Sequence, residues 1–281
     1  MNKTDELHGR VVLVPGASRP IGRAIAHSFA RRGATLVLPI YPDWPESNRE
    51  MEQQFNRADY DYFCLPCDLT SWEQTGELLS EVTHRYGVLH YLINNIDRGG
   101  MPVVHGSYEK AVNKQQWQLE FDTTLKAKHH LYQHSSDLLS ASEDGAVVNV
   151  SSIAALVGRS GPASLLYSDG YSAANRGIAS FTRQWAKELA PAVRVNEVML
   201  GLFEGRHGPG TRGWELMDTT QHHELLKRTL AGRTGTPDEA AEFIYYLAVS
   251  ASYLTGAVIP FDGGFLLGAN RVGEMPKGIL E

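Results

Sequence analysis

Seven short apolar runs rich in β-branched residues recur along the chain: Val11 to Val14, Thr35 to Ile40, Tyr62 to Leu65, Tyr91 to Asn94, Ala146 to Val150, Arg194 to Leu200 and Ala257 to Phe261. Runs of this kind read as strands covered on both faces of a sheet. Between them lie segments of helical length and period, Ile21 to Arg32, Ser71 to Tyr86, Lys114 to Leu139, Ser172 to Ala190 and Pro237 to Val249. Strand and helix alternate, which predicts an α/β fold with a doubly wound parallel sheet of about seven strands. A chain of 281 residues, 42% of them hydrophobic, can bury a full core, so one domain over 1–281 is expected.

Helix starts agree with this pattern. Thr236-Pro-Asp-Glu239 reads as a capping box with Pro at the first helical position, and Thr70-Ser-Trp-Glu73 as a second box. Residues 202–233, rich in Gly, Arg, His and Trp, read as a long irregular insertion and hence as a substrate lid, with His207, Trp214, His222 and His223 as its polar and aromatic contacts.

With 26 basic against 32 acidic side chains the formal charge is −6, which argues against a nucleic-acid or anionic-membrane surface and for small-molecule partners. No apolar run approaches the roughly 20 residues needed to span a bilayer, and Met1 to Arg10 is polar rather than signal-like, so a cytoplasmic location is expected. Cys64 and Cys67 form a CxxC, but in a strand-like run rather than at a helix start, and positions three apart on a strand face opposite sides. They read as packing residues. His129, His130 and His134 share a helix without a third ligand at suitable spacing, so no metal site is expected. Asn149-Val-Ser151 matches a glycosylation triplet inside a predicted buried strand and is set aside.

The first predicted strand runs into Pro15-Gly-Ala-Ser-Arg-Pro-Ile-Gly22 and then a helix. A strand, a glycine turn and a helix start in that order place backbone N–H groups and the helix dipole where a pyrophosphate binds. The turn resembles that of the short-chain dehydrogenase/reductase family, TGxxxGxG, with Pro15 for the threonine and Pro20 for the middle glycine. The resemblance extends from Gly9 to about Gly268. It runs through Asn94-Asn95-Ile-Asp97 at the family's NNAG, Val148-Asn-Val-Ser-Ser152 at its catalytic-serine strand and Tyr171-Ser-Ala-Ala-Asn175 at its YxxxK. Further on come Ala186-Lys-Glu-Leu-Ala-Pro191, Arg194-Val-Asn196 and Tyr253-Leu-Thr-Gly256 through Asp262-Gly-Gly264.

That resemblance implies a single-domain Rossmann-type fold and an NAD(P)-dependent oxidoreductase, with Gly16, Ser18, Arg19, Ile21, Gly22, Asp68, Leu69 and Asn95 at the cofactor. Where the family ends its second strand on an acidic residue that holds the ribose of NAD, this chain has Ile40. Arg19 is available to a 2′-phosphate, so NADP(H) is expected over NAD(H). Asp68 has a second reading as a helix-capping carboxylate. The family's pairing through two long helices implies a homodimer or homotetramer.

The implied catalytic set departs from the family. Ser152 and Tyr171 match its serine and tyrosine, but its lysine is Asn175, its helix asparagine Thr124, its Pro-Gly turn Leu200-Gly201 and the threonine after that turn Gly205. An ammonium ~4 to 5 Å from a phenolate is worth roughly 3 to 4 kcal/mol at an effective dielectric near 20, or about two to three pKa units. Without it Tyr171 is expected near its reference value of about 10, a neutral acid suited to reducing a carbonyl or imine through a weakened proton relay. Arg176 lies off the Tyr171 face of the helix and cannot substitute, whereas Lys128, one turn after Thr124, either reaches toward the vacated position or lies at a subunit or solvent face. Asp97, standing where the family has glycine, is expected beside the adenosine part of the site, where it would repel a pyrophosphate. Tyr167, one turn before Tyr171, reads as a second donor or as packing. A non-redox enzyme on the same fold and a catalytically silent binding or regulatory subunit are the competing readings; the retained Gly16, Gly22 and Asp68 favour the reductase.

Overall fold

All seven apolar runs form strands in the computed structural model, which describes residues 5–268 and 270; the two ends of the expected domain, 1–4 and 271–281, lie outside the described residues. The strands are β1 (Val11–Leu13), β2 (Thr35–Ile40), β3 (Tyr62–Pro66), β4 (Tyr91–Asn94), β5 (Gly145–Ser152), β6 (Val193–Leu200) and β7 (Val258–Phe261). They pair in the order β3-β2-β1-β4-β5-β6-β7, every pair parallel. Because successive side chains on a strand face opposite ways, Val12 and Val14 enter one layer of the core and Val11 and Leu13 the other. The chain order reverses between β1 and β4, opening the crevice at their C-terminal ends where ligands of such sheets bind.

The main helices are α1 (Pro20–Ala30), α2 (Pro45–Arg57), α3 (Trp72–Tyr86), α4 (Gln116–Phe121), α5 (Ala127–Ser140), α6 (Asp169–Glu188), α7 (Thr219–Arg228) and α8 (Pro237–Tyr245). Several differ from the sequence reading. The expected helix Lys114 to Leu139 is broken by a π-helical turn, Asp122–Lys126, at whose centre Thr124 is buried. The helix α2 was not expected, since its acidic and amide-rich face buries just Asn48, Met51 and Phe55. The box at Thr236 forms with both reciprocal bonds, but the one expected at Thr70 does not: Ser71 caps α3 by accepting from Gln74 N. Thr70 instead donates to Asp68.

The segment 202–233 is irregular in part only. It carries a one-turn helix, Arg212–Glu215, and α7, whose capping box on Asp218 and Gln221 was overlooked although Asp-x-x-Gln is the ordinary signature. Trp214, Met217 and Leu225 pack down onto Ile153, Leu166, Tyr167 and Tyr171 in a third apolar cluster outside the two sheet layers. Cys64 and Cys67 are free thiols whose pKa burial pushes up to about 12, so both stay protonated as packing groups. His130 and His134 sit against Trp72, and among the described residues no three His, Cys, Asp or Glu side chains are grouped to hold a metal. No described helix is long and apolar enough to cross a membrane.

Candidate active site

The turn after β1 has the shape its glycines require. Gly16 has a φ of +71°, which favours glycine, and a Cβ at Gly22 would lie 2.1 Å from the Gly16 carbonyl oxygen. Asn95 closes the turn by donating to the Pro15 carbonyl at 3.4 Å. Pro20 takes the first helical position of α1, where a missing N–H costs nothing. Arg19, exposed at the mouth, stacks over Trp44 with its guanidinium 4.7 Å from the ring centre. Ser18 accepts from Arg23 through its carbonyl, while Ile21 is buried in the core beneath the turn. Asp68 accepts from the backbone and hydroxyl of Thr70 at 2.9 and 2.7 Å, so one of its oxygens holds the turn into α3. Leu69 is buried, its carbonyl 3.3 Å from Nδ1 of His130.

At the far end of the crevice, Ser152 ends β5 and Tyr171 lies in the first turn of α6; both are fully buried. The start of α6 is fixed by Ser168, which accepts from Tyr171 N and donates to the buried Glu120 at 2.9 Å. Glu120 also takes the Tyr108 hydroxyl, and that hydroxyl in turn accepts from Gly170 N. A Cβ at Gly170 would lie 2.3 Å from the Glu120 carboxylate, which explains the glycine beside the tyrosine. Ser152 Oγ accepts from Ala154 N at 3.1 Å. Thr124 Oγ1 accepts from Arg98 N at 3.2 Å, tying the π-helical turn to the loop after β4.

Asn175 does not reach the Tyr171 hydroxyl. Its amide donates to the Tyr171 carbonyl at 2.9 Å, and its Oδ1 is buried without a hydrogen-bond partner. The groups that do meet the phenol come from two loops. Tyr171 donates to Asp97 at 2.7 Å, Arg206 donates to the phenolic oxygen at 3.3 Å, and His207 Nε2 lies 3.1 Å from it. Arg206 and Asp97 form an ion pair at 2.6 Å. Asp97 therefore lies at the phenol, not beside the adenosine region, and its charge is offset by a guanidinium. Burial raises the Asp97 carboxyl, but Arg206, Lys128, His207 and Tyr171 together outweigh that and hold it below the usual carboxylate range.

Lys128 is fully buried and points inward, donating to the Ile96 carbonyl, which overturns the reading of it as a subunit or solvent lysine. Burial lowers its pKa to about 7, with the Asp97 carboxylate opposing. Tyr171 departs from the expected value near 10: burial drives it well above, Arg206 pulls it back and Asp97 raises it further. Tyr167 stacks on Tyr171 with ring centres 6.1 Å apart, its own hydroxyl buried without a partner. His207 lies against both rings, and burial lowers its pKa to about 4, leaving a neutral imidazole.

A family model for enoyl-(acyl carrier protein) reductase matches residues 16–266. The chain belongs to the short-chain dehydrogenase/reductase family of NAD(P)-dependent oxidoreductases. It is 30% identical over 265 residues to the 3-oxoacyl-[acyl-carrier-protein] reductase of Thermotoga maritima, covering 93% of this chain and 99% of that one. It is 29% identical to the cis-4-hydroxycyclohexanecarboxylate dehydrogenase of Sinomonas cyclohexanicum, over 91% of this chain and 96% of that one. The solved structure of a candidate short-chain alcohol dehydrogenase from Sinorhizobium meliloti superposes with a TM-score of 0.79 at 26% identity, over 94% of this chain and 98% of that one.

Membership makes the buried charges more informative, because sequence reasoning missed most of them. Glu197, at the centre of β6, accepts from Ser151 at 2.5 Å and Thr182 at 3.2 Å, and burial raises its carboxyl to about 7. The signal was present: a glutamate inside Arg-Val-Asn-Glu-Val-Met is a charge in a strand that reads as apolar on both faces. Arg206 carried no such signal. It sits in a glycine-rich stretch and is brought to Tyr171 by tertiary folding.

Lys128 also sets a pH dependence. Its folded pKa of about 7 lies below the unfolded value of about 10.4, so between these limits the unfolded chain binds the extra proton and stability rises with pH. The melting temperature is expected to climb from pH 7 to pH 9, and Lys128→Met to flatten that slope. A slope unchanged in Lys128→Met would assign the effect to another group.

Proposed function

We propose that the protein is an NADP(H)-dependent reductase of a carbonyl or imine, with Tyr171 as the proton donor and Ser152 as the second hydroxyl at the substrate oxygen. The observation that carries this reading is the place of Tyr171: its hydroxyl lies buried at the end of the crevice with Arg206 at 3.3 Å. Burial keeps it in the phenol form that has a proton to give, while the guanidinium counters the weakening of the acid that burial brings. Bound at the turn after β1, the cofactor supplies the hydride. The residues that fit it are the cradle of Gly16 and Gly22, the backbone of Ser18 and Ile21 in the first turn of α1, Asn95, and Asp68 with Leu69 at the adenine end. Arg19, prepositioned by Trp44, is the contact for a 2′-phosphate.

Thr124 and Asn175 act on position in this reading, Thr124 by holding Arg98 N and Asn175 by bracing the first turn of α6. The segment 202–233 covers the substrate, and pairing through α5 and α6 gives a homodimer or homotetramer. The two relatives named above act on 3-oxoacyl-[acyl-carrier-protein] and on cis-4-hydroxycyclohexanecarboxylate, so these belong in the first substrate panel with ketones, quinones and imines. One observation favours the second reading, a silent binding subunit: the one donor and both acceptor positions of the Tyr171 hydroxyl are met by protein groups.

Titrating the protein with NADPH and NADH by cofactor fluorescence tests the first reading. NADPH is expected to bind more tightly, and Arg19→Ala to remove that preference by about 10- to 100-fold, the worth of one charge-assisted contact to phosphate. Equal affinities in the wild type would overturn the NADP(H) assignment, and no binding of either would leave the non-redox enzyme and the silent subunit.

A further inference from the structure

We infer that Arg206, reaching in from the loop after β6, supplies at the Tyr171 hydroxyl the positive charge that no residue of α6 supplies, and that Asp97 and His207 hold the guanidinium and the phenol together. The inference rests on Tyr171 as the proton donor and names the residue that makes its conjugate base tolerable. On α6 the position one turn after Tyr171 is the neutral Asn175, and Arg176 is exposed. The loop after β6 is bent to compensate. Gly205 has a φ of +70° and His207 a φ of +58°, a left-handed conformation that a histidine keeps only where its surroundings hold it. A Cβ at Gly205 would lie 2.6 Å from the Pro20 ring, so the loop is seated against the dinucleotide turn. Between these two bends Arg206 is directed inward, its side chain 10% exposed, bonded to Ser151 O at 3.1 Å, Asp97 at 2.6 Å and Tyr171 at 3.3 Å.

Three charged or titratable groups besides Arg206 face this phenol, Asp97 after β4, Tyr167 ahead of α6 and His207, while Lys128 on α5 acts on Asp97. His207 is neutral and Asp97 is an anion, so Arg206 is the cation in direct contact. When Tyr171 gives its proton to the substrate oxygen, its O–H bond breaks, the alcohol O–H forms and hydride from the nicotinamide cofactor reduces the carbon. The phenolate left behind faces Arg206 and regains a proton from water. Arg206 also has a buried Nε without a partner, so the cluster retains donor capacity for a bound oxygen.

The test places 2,3,5-trifluorotyrosine at position 171, which makes the phenol acidic enough to titrate by absorbance apart from the ordinary tyrosines. In Arg206→Gln its midpoint is expected to rise by about one to two pH units, in Arg206→Lys to stay near the wild type, and in Asp97→Asn to fall. With natural tyrosine at 171, Arg206→Gln is expected to lower kcat for reduction about 10- to 100-fold while the NADPH Kd stays within about threefold. An unmoved midpoint in a folded Arg206→Gln protein, or a loss confined to NADPH affinity, would overturn the inference. A moved midpoint in a protein that turns over no substrate would uphold the charge assignment and remove the reductase reading instead.

Discussion

Tyr171→Phe is expected to lower kcat/KM for carbonyl reduction by about 10²- to 10⁴-fold, the usual worth of a positioned general acid, with cofactor affinity unchanged within a factor of a few. The ring is held by packing that phenylalanine keeps: it stacks on Tyr167, contacts His207 and belongs to the third apolar cluster with Trp214 and Met217. What disappears is the oxygen at which Asp97, Arg206 and His207 meet. Loss of activity with an unaltered fold and unaltered NADPH binding therefore isolates the proton donor. Residual activity above a tenth of the wild type would move the donor role to Ser152 or Tyr167, two further buried hydroxyls of the site.

The second large effect concerns stability. Asp97 is 21% exposed and Arg206 10%, and Lys128 behind them is fully buried with a pKa of about 7, so at pH 7 the carboxylate balances the guanidinium and a half-protonated amine in a medium that screens poorly. Asp97→Ala is expected to cost about 2 to 4 kcal/mol, because the penalty of leaving a buried charge unpaired outweighs the modest net worth of the pair itself. For a domain of this size that lowers the melting temperature by on the order of 10 °C at pH 7. Asp97 has a depressed folded pKa, so its contribution is present above the unfolded value near 3.9 and fades as pH falls through the folded one; the difference between wild type and Asp97→Ala should narrow in acid. The double variant Asp97→Ala with Arg206→Ala should lose less than the two single losses combined. Strict additivity would show that the two charges do not depend on each other.

These two predictions bear on residues that differ in how visible they were. Tyr171 and Ser152 were legible through the resemblance, which sets them at the family's YxxxK and catalytic-serine strand; periodicity gave only the helix and strand that carry them, in whose first turn and last position the structure places them. The glycine turn was legible from the residues themselves: Gly16 and Gly22 fall between a strand and a helix start, and the structure shows that neither tolerates a Cβ. Asn175 was visible as a departure, yet its actual bond, to the Tyr171 carbonyl, is one that an amide side chain makes locally within a helix and that no motif announces. Glu120 and Glu197 were readable in principle as charges in buried elements, but their roles came from partners 48 and 46 positions away.

The sequence by itself determined the order of strands and helices, the parallel sheet and the dinucleotide turn, while the two hydroxyls at the end of the crevice came from the family resemblance. The elements, the sheet and the turn follow from short-range periodicity and from glycine and proline stereochemistry, which act within a few residues. The tertiary structure alone decided which charges surround Tyr171. Arg206 and His207 lie 35 and 36 positions from it and Asp97 lies 74, and their meeting depends on left-handed backbone at Gly205 and His207 and on a loop seated against Pro20. Electrostatics in a buried site depends on distance in space, and a linear pattern does not carry that distance.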